Sequence, residues 1–471
     1  MADPHHDGSP LYLERDGAEV YLRVRAPSSD PIVEVWLRTF VDERETFTPC
    51  QLIEKDAVVQ WWEGVLTLTA YETPYRFVVV TADGRQRWLT AAGIADSDGT
   101  TAADFKVMWD VMPTTNGVVY EIFPDRFAPS AAAAMRPIPH WAVPAKWDDT
   151  VVHDPANPTT PTQHFGGDLD GILDHLDHLA AVGTTAVALT AIGEGVTNHR
   201  EDGDPETVDP VLGGEQAYER LRLSLSQHGW ALFGGPSEPA AAPPIDPGFT
   251  VPVWSWLRAA TAPVNPDGRG VALPRRSGEH VVDQLRQWRA TAGWDAGLSR
   301  WNVVGTHATA RIRSITGDPR VHRVAAGLQF TLPGVPMIYA GDELGLEGVN
   351  AYDGRRPMPW HARADWDAAT FSTYTSLAAL RRTNTTLVEG GLRWAHVSDD
   401  AVVFLREHPT GSLLVAARRA PGPAIVLDAS QLGLVDGSLV FGTEPGGPLT
   451  HFGVSGVVPG SSSPGLWIWA L

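Results

Sequence analysis

Residues 166–192, GGDLDGILDHLDHLAAVGTTAVALTAI, indicate the fold class because a helix leads there directly into a buried strand. Apolar side chains recur through the first half at helical spacing, namely at Leu169, Ile172, Leu173, Leu176 and Leu179. A glycine marks the helix end, and the apolar run at 185–190, TAVALT, is typical of a strand covered on both faces. A helix followed by such a strand predicts a βαβ unit and therefore a parallel sheet.

The same alternation of helix and buried strand recurs along the chain. Residues 217–235 predict a helix, a short turn and a strand, and further helices are predicted near 318–330 and over 373–384. The expected strands of the parallel sheet lie at about 117–122, 185–190, 229–233, 300–305 and 335–340. The proline-rich segment 234–248 predicts a loop, because proline neither continues a helix nor pairs in a central strand. Residues 234–300 then have room for about one or two further βα units.

Short strands flank the parallel region on both sides. Alternating segments at 18–26, 32–40, 75–81 and 86–92, separated by turn residues, are typical of an antiparallel β-sandwich. Short strands return after about residue 391. We therefore predict an N-terminal β-sandwich at 1–108 that resembles a carbohydrate-binding module, an α/β region at 109–390 and a C-terminal β-sandwich at 391–471.

The composition excludes several classes of function. The chain has 471 residues and a formal net charge of −20 with no basic stripe, so neither nucleic acid nor an anionic membrane is expected as a partner. Cys50 is the only cysteine, which excludes an intrachain disulfide and a cysteine-based zinc site. No apolar run is long enough to cross a membrane, and residues 1–17 lack the apolar core of a signal peptide, so we expect a cytoplasmic protein.

Five longer stretches resemble the α-amylase superfamily, glycoside hydrolase family 13, in its neopullulanase and cyclomaltodextrinase branch. They are GVVYEIFPDRF at 117–127, HFGGDLDGILDHLDHLAAVG at 164–183, TNHRED at 197–202, NVVGTHATARIR at 302–313 and FTLPGVPMIYAGDELGLEG at 330–348. RRPMPW at 355–360 also fits, as does the order of sandwich, barrel and sandwich. The resemblance implies a (β/α)8 barrel of the TIM type, here incomplete or shortened, with its site at the carboxyl ends of the strands.

The resemblance also implies a reaction. Members of this family cleave α-glucosidic bonds with retention, using one carboxylate as nucleophile, a second as general acid and a third that stabilises the transition state. The nucleophile and the acid must lie close together, one ionised and the other protonated near neutral pH.

The chain departs from this catalytic pattern. The strand region at 230–239, WALFGGPSEP, lacks the family's Asp and its Asn-His pair, and no stretch matches the Gly-x-Arg-x-Asp nucleophile motif or the general-acid strand. In GTHATAR, residues 305–311, Ala308 occupies the position of the transition-state stabiliser. We therefore expect no catalytic residue in this chain and a barrel whose contiguous central portion is missing.

The resemblance carries over a set of substrate-binding candidates: Tyr120, His199, His307, Asp353 and Arg356. A structural role is the alternative for both histidines, and a plain salt bridge is the alternative for Asp353 with Arg356. Trp61 and Trp62 are candidates for stacking on glucan rings, whereas the alternative is that they fill the sandwich core.

The remaining acidic groups are assigned structural roles. Asp125 with Arg126 is expected to form a polar network at a strand end, and Asp342 with Glu343 to lie beside the site. The acidic loop that holds Glu194, Glu201, Asp202 and Asp204 is expected to be solvated, with cation binding as the alternative. The family allows a calcium site, but its ligand-bearing Asn belongs to the missing motif, so we expect neither a metal nor another cofactor.

The expected function is that of a catalytically inactive family member that serves as a partner subunit or an α-glucan-binding protein. A partial barrel would expose sheet edges and apolar helix faces, so we expect a homo- or hetero-oligomer, with a second copy or an active amylase-like relative as the covering partner. One alternative is an active α-glucan hydrolase or glucosyltransferase with a rebuilt or partner-completed site, which would need two facing carboxylates roughly 5–5.5 Å apart. Another is a glucan-binding module that uses Trp61 or Trp62.

Overall fold

Three groups of regular structure follow one another along the chain: a pair of antiparallel sheets, a parallel sheet surrounded by helices, and a second pair of antiparallel sheets. The computed structural model describes residues 4–41, 44–110, 114–190, 192–195, 197–198, 204, 206–235, 247–263, 265–266, 272–428, 436–452 and 455–471. This order confirms the predicted fold class. Within the described ranges, no helix is long and apolar enough to span a membrane.

Ten strands form the N-terminal sandwich. They are β1 (Leu13–Asp16), β2 (Glu19–Pro27), β3 (Ile32–Val41), β4 (Arg44–Pro49), β5 (Gln51–Lys55), β6 (Val59–Thr67), β7 (Glu72–Thr81), β8 (Gln86–Thr90), β9 (Gly93–Ala95) and β10 (Phe105–Met108). One sheet has the order β1-β2-β6-β5, and the other has the order β4-β3-β7-β8-β9 with β10 paired to β7. Val20, Leu22 and Val24 of β2 face the core between the sheets, because successive side chains of a strand point to opposite faces.

The central sheet contains the five predicted parallel strands. They are β11 (Val118–Ile122), β14 (Thr184–Leu189), β15 (Ala231–Phe233), β16 (Trp301–Val303) and β17 (Val335–Tyr339), and a separate two-stranded ladder is formed by β12 (Val143–Pro144) and β13 (Gln163–His164). The order across the central sheet is β15-β14-β11-β17-β16, and every neighbouring pair is parallel. Between β15 and β16 the described residues form helices and no strand, so the one or two further βα units allowed there are absent from this part of the chain.

The five-stranded sheet curls until its two edges approach each other. Phe233 at the end of β15 and Trp301 at the start of β16 have ring centroids 5.4 Å apart. The inner face carries Val119, Ala186, Ala188, Val303, Val335 and Met337, which form a small cluster of their own. Because an eight-stranded barrel is just wide enough to be filled by side chains, a five-stranded one has space inside for only a few small or medium residues.

Helices surround this sheet. They are α1 (Pro124–Phe127), α2 (Leu169–Leu173), α3 (Leu176–Ala181), α4 (Gly214–Gln227), α5 (Pro247–Leu257), α6 (Gly278–Ala292), α7 (Trp294–Leu298), α8 (Ile312–Thr316), α9 (Pro319–Thr331), α10 (Ala351–Gly354), α11 (Ala368–Thr383) and α12 (Thr385–Glu389). The stretch that predicts one continuous helix forms α2 and α3, with a break before Leu176. At the break the imidazole of His175 stacks on the indole of Trp360 at 3.8 Å, a contact made by a residue distant in sequence.

Helix α5 covers the free edge of β16. Thr250 Oγ1 donates to the Val303 carbonyl at 2.7 Å, and Trp254 Nε1 donates to the Val304 carbonyl at 2.8 Å. Two side chains of a helix therefore satisfy backbone oxygens at the strand that ends the sheet. The expectation that the sheet edges stay exposed is wrong for this edge, because the chain covers it with its own helix.

The C-terminal strands form the second sandwich. They are β18 (Gly391–Val397), β19 (Ala401–His408), β20 (Gly411–Arg418), β21 (Ile425–Asp428), β22 (Ser438–Gly442), β23 (Thr450–Phe452), β24 (Ser455–Val458) and β25 (Gly465–Ala470). One sheet has the order β18-β19-β20-β25-β22 and the other the order β21-β24-β23. One face of the larger sheet packs on the helices around the parallel sheet, since Val402, Phe404 and Leu413 belong to the same apolar core as α9.

Candidate functional site

The carboxyl ends of β11, β16 and β17 meet at one end of the parallel sheet, where the resemblance places the site. Strand β11 runs into the Pro124–Phe127 turn, β16 into Gly305–Ala308 and β17 into Ala340–Glu343. Adjacent parallel strands share this edge, so side chains distant in sequence come together there.

Glu121 and His307 form the central pair of this end. Glu121 lies on the inward-facing side of β11 and is completely buried. Its Oε1 lies 2.7 Å from His307 Nδ1, and its Oε2 accepts the backbone N–H of His307 at 3.2 Å. The side chain of Glu121 therefore fixes the loop after β16. Sequence analysis missed Glu121, although a Glu within the otherwise apolar run VVYEIF was a signal of a paired buried carboxylate.

Asp342 forms a second buried pair at the end of β17. Its Oδ1 accepts from Arg311 Nη1 at 2.9 Å, and its Oδ2 is buried without a hydrogen-bond partner among the described residues. Burial raises the pKa of Asp342 to about 6 against the lowering effect of Arg311, and Glu343 and Glu121 raise it further. A Cβ at Gly305 would lie 2.9 Å from Oδ2, so the glycine allows β16 to pass close to this carboxyl.

Tyr120 points away from the site. Its hydroxyl donates to Glu343 Oε1 at 2.7 Å, and His178 Nε2 lies 2.8 Å from the same oxygen. Residues of β11 alternate between the two faces, so Tyr120 packs in the helix layer while Glu121 faces inward. The prediction that Tyr120 contacts substrate is therefore not supported by its placement, whereas Glu343 lies beside the site as expected.

His307 and Ala308 form the accessible part of the site. The Ala308 side chain is exposed, and the His307 side chain keeps 11% of its surface accessible. Arg355 Nε donates to the His307 carbonyl at 2.8 Å, and its guanidinium lies 5.1 Å from the ring centroid of Phe123. The position expected for the stabilising carboxylate is thus present in the fold, and a methyl group occupies it.

Asp353 and Arg356 form a salt bridge next to this loop, with Arg356 Nη2 2.8 Å from Asp353 Oδ1. Asp353 Oδ2 also accepts the backbone N–H of Val349 at 2.9 Å. The Asp353 carboxylate is buried and fully used by these contacts, while Arg356 keeps part of its side chain exposed. The salt-bridge interpretation describes the pair, and only Arg356 remains accessible to a ligand.

The other predicted residues lie elsewhere. Trp62 is 7% exposed in the core of the N-terminal sandwich, and Trp61 is half-buried with its ring centroid 5.5 Å from that of Tyr12. Trp62 therefore fills interior space, and the stacking hypothesis for Trp62 is wrong because its ring faces the core. Trp61 packs on Tyr12 and keeps part of its surface accessible. His199 lies outside the described residues, as do Glu201 and Asp202 of the acidic loop.

Asp125 organises the turn after β11. It accepts the backbone N–H groups of Phe165 at 3.1 Å and Gly166 at 2.9 Å, and Arg126 Nε donates to its Oδ2 at 2.7 Å. Arg126 in turn donates to the carbonyls of Arg355 and Gln163. This is the polar network expected at this strand end.

Five described carboxylates on and after β11, β16 and β17 share one property, which is that each is buried and already bonded. They are Glu121, Asp125, Asp342, Glu343 and Asp353, and each is 5% exposed or less. Among the described residues, no group of three or more His, Cys, Asp or Glu side chains could hold a metal ion.

Comparison with known proteins shows which family this chain is similar to. The family model "Alpha amylase, catalytic domain" matches residues 276–379. The chain is 42% identical over 416 residues to a cyclomaltodextrinase of Geobacillus thermopakistaniensis, covering 64% of this chain and 68% of that protein. It is 23% identical over 526 residues to a cyclomaltodextrinase of a Bacillus species, covering 85% of this chain and 92% of that protein. This second alignment is longer than the chain's 471 residues, so the relative carries positions that this chain lacks.

The fold agrees with these matches. A solved cyclomaltodextrinase structure superposes with a TM-score of 0.65 at 18% identity, covering 100% of this chain and 99% of that one. Sequence and fold lead to the same conclusion: the chain belongs to the α-amylase family, in its cyclomaltodextrinase and neopullulanase branch.

Proposed function

We propose that this protein is an α-glucan-binding member of the family that does not cleave glucosidic bonds itself. The observation that carries the proposal is the state of the five described carboxylates on and after β11, β16 and β17, each of which is buried and bonded. A retaining glycosidase needs two accessible carboxyl groups about 5–5.5 Å apart, one on each side of the scissile bond. The exposed methyl group of Ala308 supplies neither charge nor a proton.

Glucan binding is supported by the accessible groups that remain. His307 and Arg356 stand at the same end of the sheet and present polar groups to solvent. We propose that a maltooligosaccharide contacts these two side chains, and that the protein acts in the cytoplasm as a subunit of a homo- or hetero-oligomer. An active relative of the same family is the proposed partner in the second case. The domain limits 1–108, 109–390 and 391–471 remain part of the proposal.

Hydrolysis or glucosyl transfer is the second candidate, and the comparisons favour it over an inactive protein. The relatives that match are named as enzymes, including cyclomaltodextrinases and a neopullulanase. On this hypothesis, carboxylates from a partner or from residues outside the described ranges complete the site. Glu121 and Asp342 would then serve only to hold the loops that such groups approach.

One experiment separates the two candidates. Purified protein and the Ala308→Asp variant are incubated with maltoheptaose and β-cyclodextrin, and released reducing ends are measured. Binding of the same ligands is measured by calorimetry for the wild type, for His307→Asn and for His228→Asn. Asparagine can still donate towards Glu121, and His228 is an exposed histidine at the end of α4, which makes it the matched control.

We expect glucan binding that is weakened in His307→Asn and unchanged in His228→Asn, with no hydrolysis by the wild type or by Ala308→Asp. Turnover by the wild-type chain would overturn the proposal in favour of the second candidate. A wild-type chain that binds neither glucan would also overturn it.

A further inference from the structure

A partly enclosed cavity of about 260 Å³ lies where the N-terminal sandwich, helices α6 and α7, and strand β18 meet. Its walls include Asp7, Lys106, Arg289, Trp294 and Trp394, so it is distant in the fold from the strand ends described above. It is slightly smaller than the roughly 300–1,000 Å³ of typical small-molecule sites, which favours a compact ligand.

The N-terminal segment builds one wall of this cavity and joins it to the rest of the molecule. Asp7 Oδ1 accepts the backbone N–H of Ser9 and Asp7 Oδ2 accepts that of Leu392, both at 2.9 Å. A Cβ at Gly8 would lie 2.5 Å from Trp294 Cβ, so the segment lies directly on that side chain. The wall is therefore fixed by contacts to two other parts of the chain.

Arg289 is the unbalanced charge of the cavity. Its Nη1 donates to the Pro333 carbonyl at 3.2 Å, and its guanidinium lies 4.9 Å from the ring centroid of Trp294. No carboxylate in the described part of the chain forms an ion pair with it. Burial lowers the pKa of Arg289 to about 10 although Asp7 raises it, so the group remains a cation at neutral pH.

The surroundings of the cavity add positive charge. Arg406 and Arg381 are almost completely buried nearby, and both donate to backbone carbonyls, among them that of Leu387. Burial, followed by Arg381 and Arg289, holds the pKa of Arg406 well below its usual range, whereas Asp7 raises it. Asp7 is thus the carboxylate that acts on both Arg289 and Arg406, whereas Glu407 is taken up by Arg393, and both oxygens of Asp7 already accept backbone hydrogen bonds.

The cavity also has a hydrogen-bond donor without an acceptor. The indole nitrogen of Trp294 is buried with no hydrogen-bond partner among the described residues. Lys106 lines the same space, and its Nζ lies 3.2 Å from Glu72 Oε1. An indole N–H without an acceptor, together with a guanidinium that forms no salt bridge among the described residues, is the chemistry that binds an oxyanion.

We propose that this junction cavity binds a compact oxyanion, either inorganic phosphate or the phosphate group of a small sugar ester, with Arg289 as its principal ligand. The oxyanion accepts from the Arg289 guanidinium and from the Trp294 N–H, and aromatic walls leave room for a small ring beside it. Because three parts of the chain form the cavity, the bound ligand stabilises their contact.

The test uses the full-length protein. Thermal unfolding and calorimetric titration are carried out with inorganic phosphate, glucose 6-phosphate and glucose at matched ionic strength. Variants are Arg289→Gln, which removes the cation, and Trp294→Phe, which removes only the N–H. Arg222→Gln is the matched control, because Arg222 forms an exposed ion pair on α4.

We expect saturable binding of an oxyanion, weakened by about tenfold or more in Arg289→Gln, weakened less in Trp294→Phe, and unchanged in Arg222→Gln. Tighter binding of glucose 6-phosphate than of phosphate identifies the ester as ligand, and the reverse identifies the free ion. The proposal is overturned if no oxyanion binds saturably, or if Arg289→Gln and Trp294→Phe both bind as the wild type does. If Arg289→Gln fails to fold, Trp294→Phe alone decides. None of these outcomes depends on glucan binding at the strand ends.

Discussion

At the scale of single residues, the site is held together by buried polar pairs, and Asp342 is the member of these pairs whose pKa is raised most clearly. Two opposing effects act on the pKa of Asp342. Burial raises it, and the neighbouring Arg311 lowers it. The neighbouring carboxyl groups of Glu343 and Glu121 raise the pKa of Asp342 further. The balance makes Asp342 a group that holds its proton more tightly in the folded chain than in the unfolded one.

Asp342 should therefore give the protein a specific pH dependence of stability. Its pKa is about 6 when folded and 3.8 as the reference value, so between these pH values the folded state binds more protons than the unfolded state. Stability from this group is greatest below pH about 3.8 and is lost as pH rises to about 6, by roughly 2–3 kcal/mol. Urea unfolding at pH 4, 5, 6 and 7 should show this loss in the wild type and its absence in Asp342→Asn.

The control for this prediction is Asp318→Asn. Asp318 is partly exposed and pairs with Arg320, which lowers the pKa of Asp318, so its contribution has the opposite sign and is small. Equal pH dependence in the wild type and Asp342→Asn would contradict the account of Asp342.

At the scale of elements, the parallel sheet has five strands and lacks the further strands expected between β15 and β16. Helix α5 covers the edge of β16 that this leaves. Thr250 and Trp254 of α5 donate to the carbonyls of Val303 and Val304, which otherwise need a neighbouring strand or water. A buried carbonyl left without a donor costs about 1–3 kcal/mol. Helix α5 is thus a structural replacement for a strand at one edge.

The double variant Thr250→Val with Trp254→Phe tests this role, since it keeps both side-chain shapes and removes both donors. We expect a loss of about 2–5 kcal/mol in the free energy of unfolding and faster amide exchange in β16. Trp36→Phe is the control, because the Trp36 indole donates to Glu34 at an exposed position and its loss should cost little. If both variants lose the same small amount of unfolding free energy, the two hydrogen bonds from α5 do not stabilise the edge of β16.

The sequence predicts strands better than it predicts contacts between them. All five parallel strands lie within about three residues of their predicted ends, because each is a short apolar run with turn residues on either side. The break between α2 and α3 was not predicted, since it depends on the stacking of His175 on Trp360. The Glu121–His307 pair was missed for the same reason, because it joins residues 186 positions apart.

At the scale of the whole molecule, the first and last domains are joined by a buried polar contact. Tyr12 Oη donates to Glu407 Oε2 at 3.0 Å, across 395 positions of sequence. Glu407 is also bound by Arg393 through two nitrogens, at 2.9 Å and 2.6 Å. Burial raises the pKa of Glu407, but Arg393 outweighs it and the pKa is lowered, so the carboxylate is ionised where Tyr12 meets it.

This contact should couple the two domains thermodynamically. A double-mutant cycle with Tyr12→Phe and Glu407→Gln measures the coupling, with unfolding followed by calorimetry. Because the two groups touch in a buried network, we expect a coupling free energy of about 0.5–3 kcal/mol. Glu407→Gln also leaves Arg393 buried without its counter-ion, so we expect the N-terminal sandwich of this variant to unfold in a separate, earlier transition. Tyr21→Phe is the control, since the Tyr21 hydroxyl meets Glu19 at an exposed site within one sandwich. Effects that add to within about 0.3–0.5 kcal/mol would mean that the contact between Tyr12 and Glu407 does not couple the two domains.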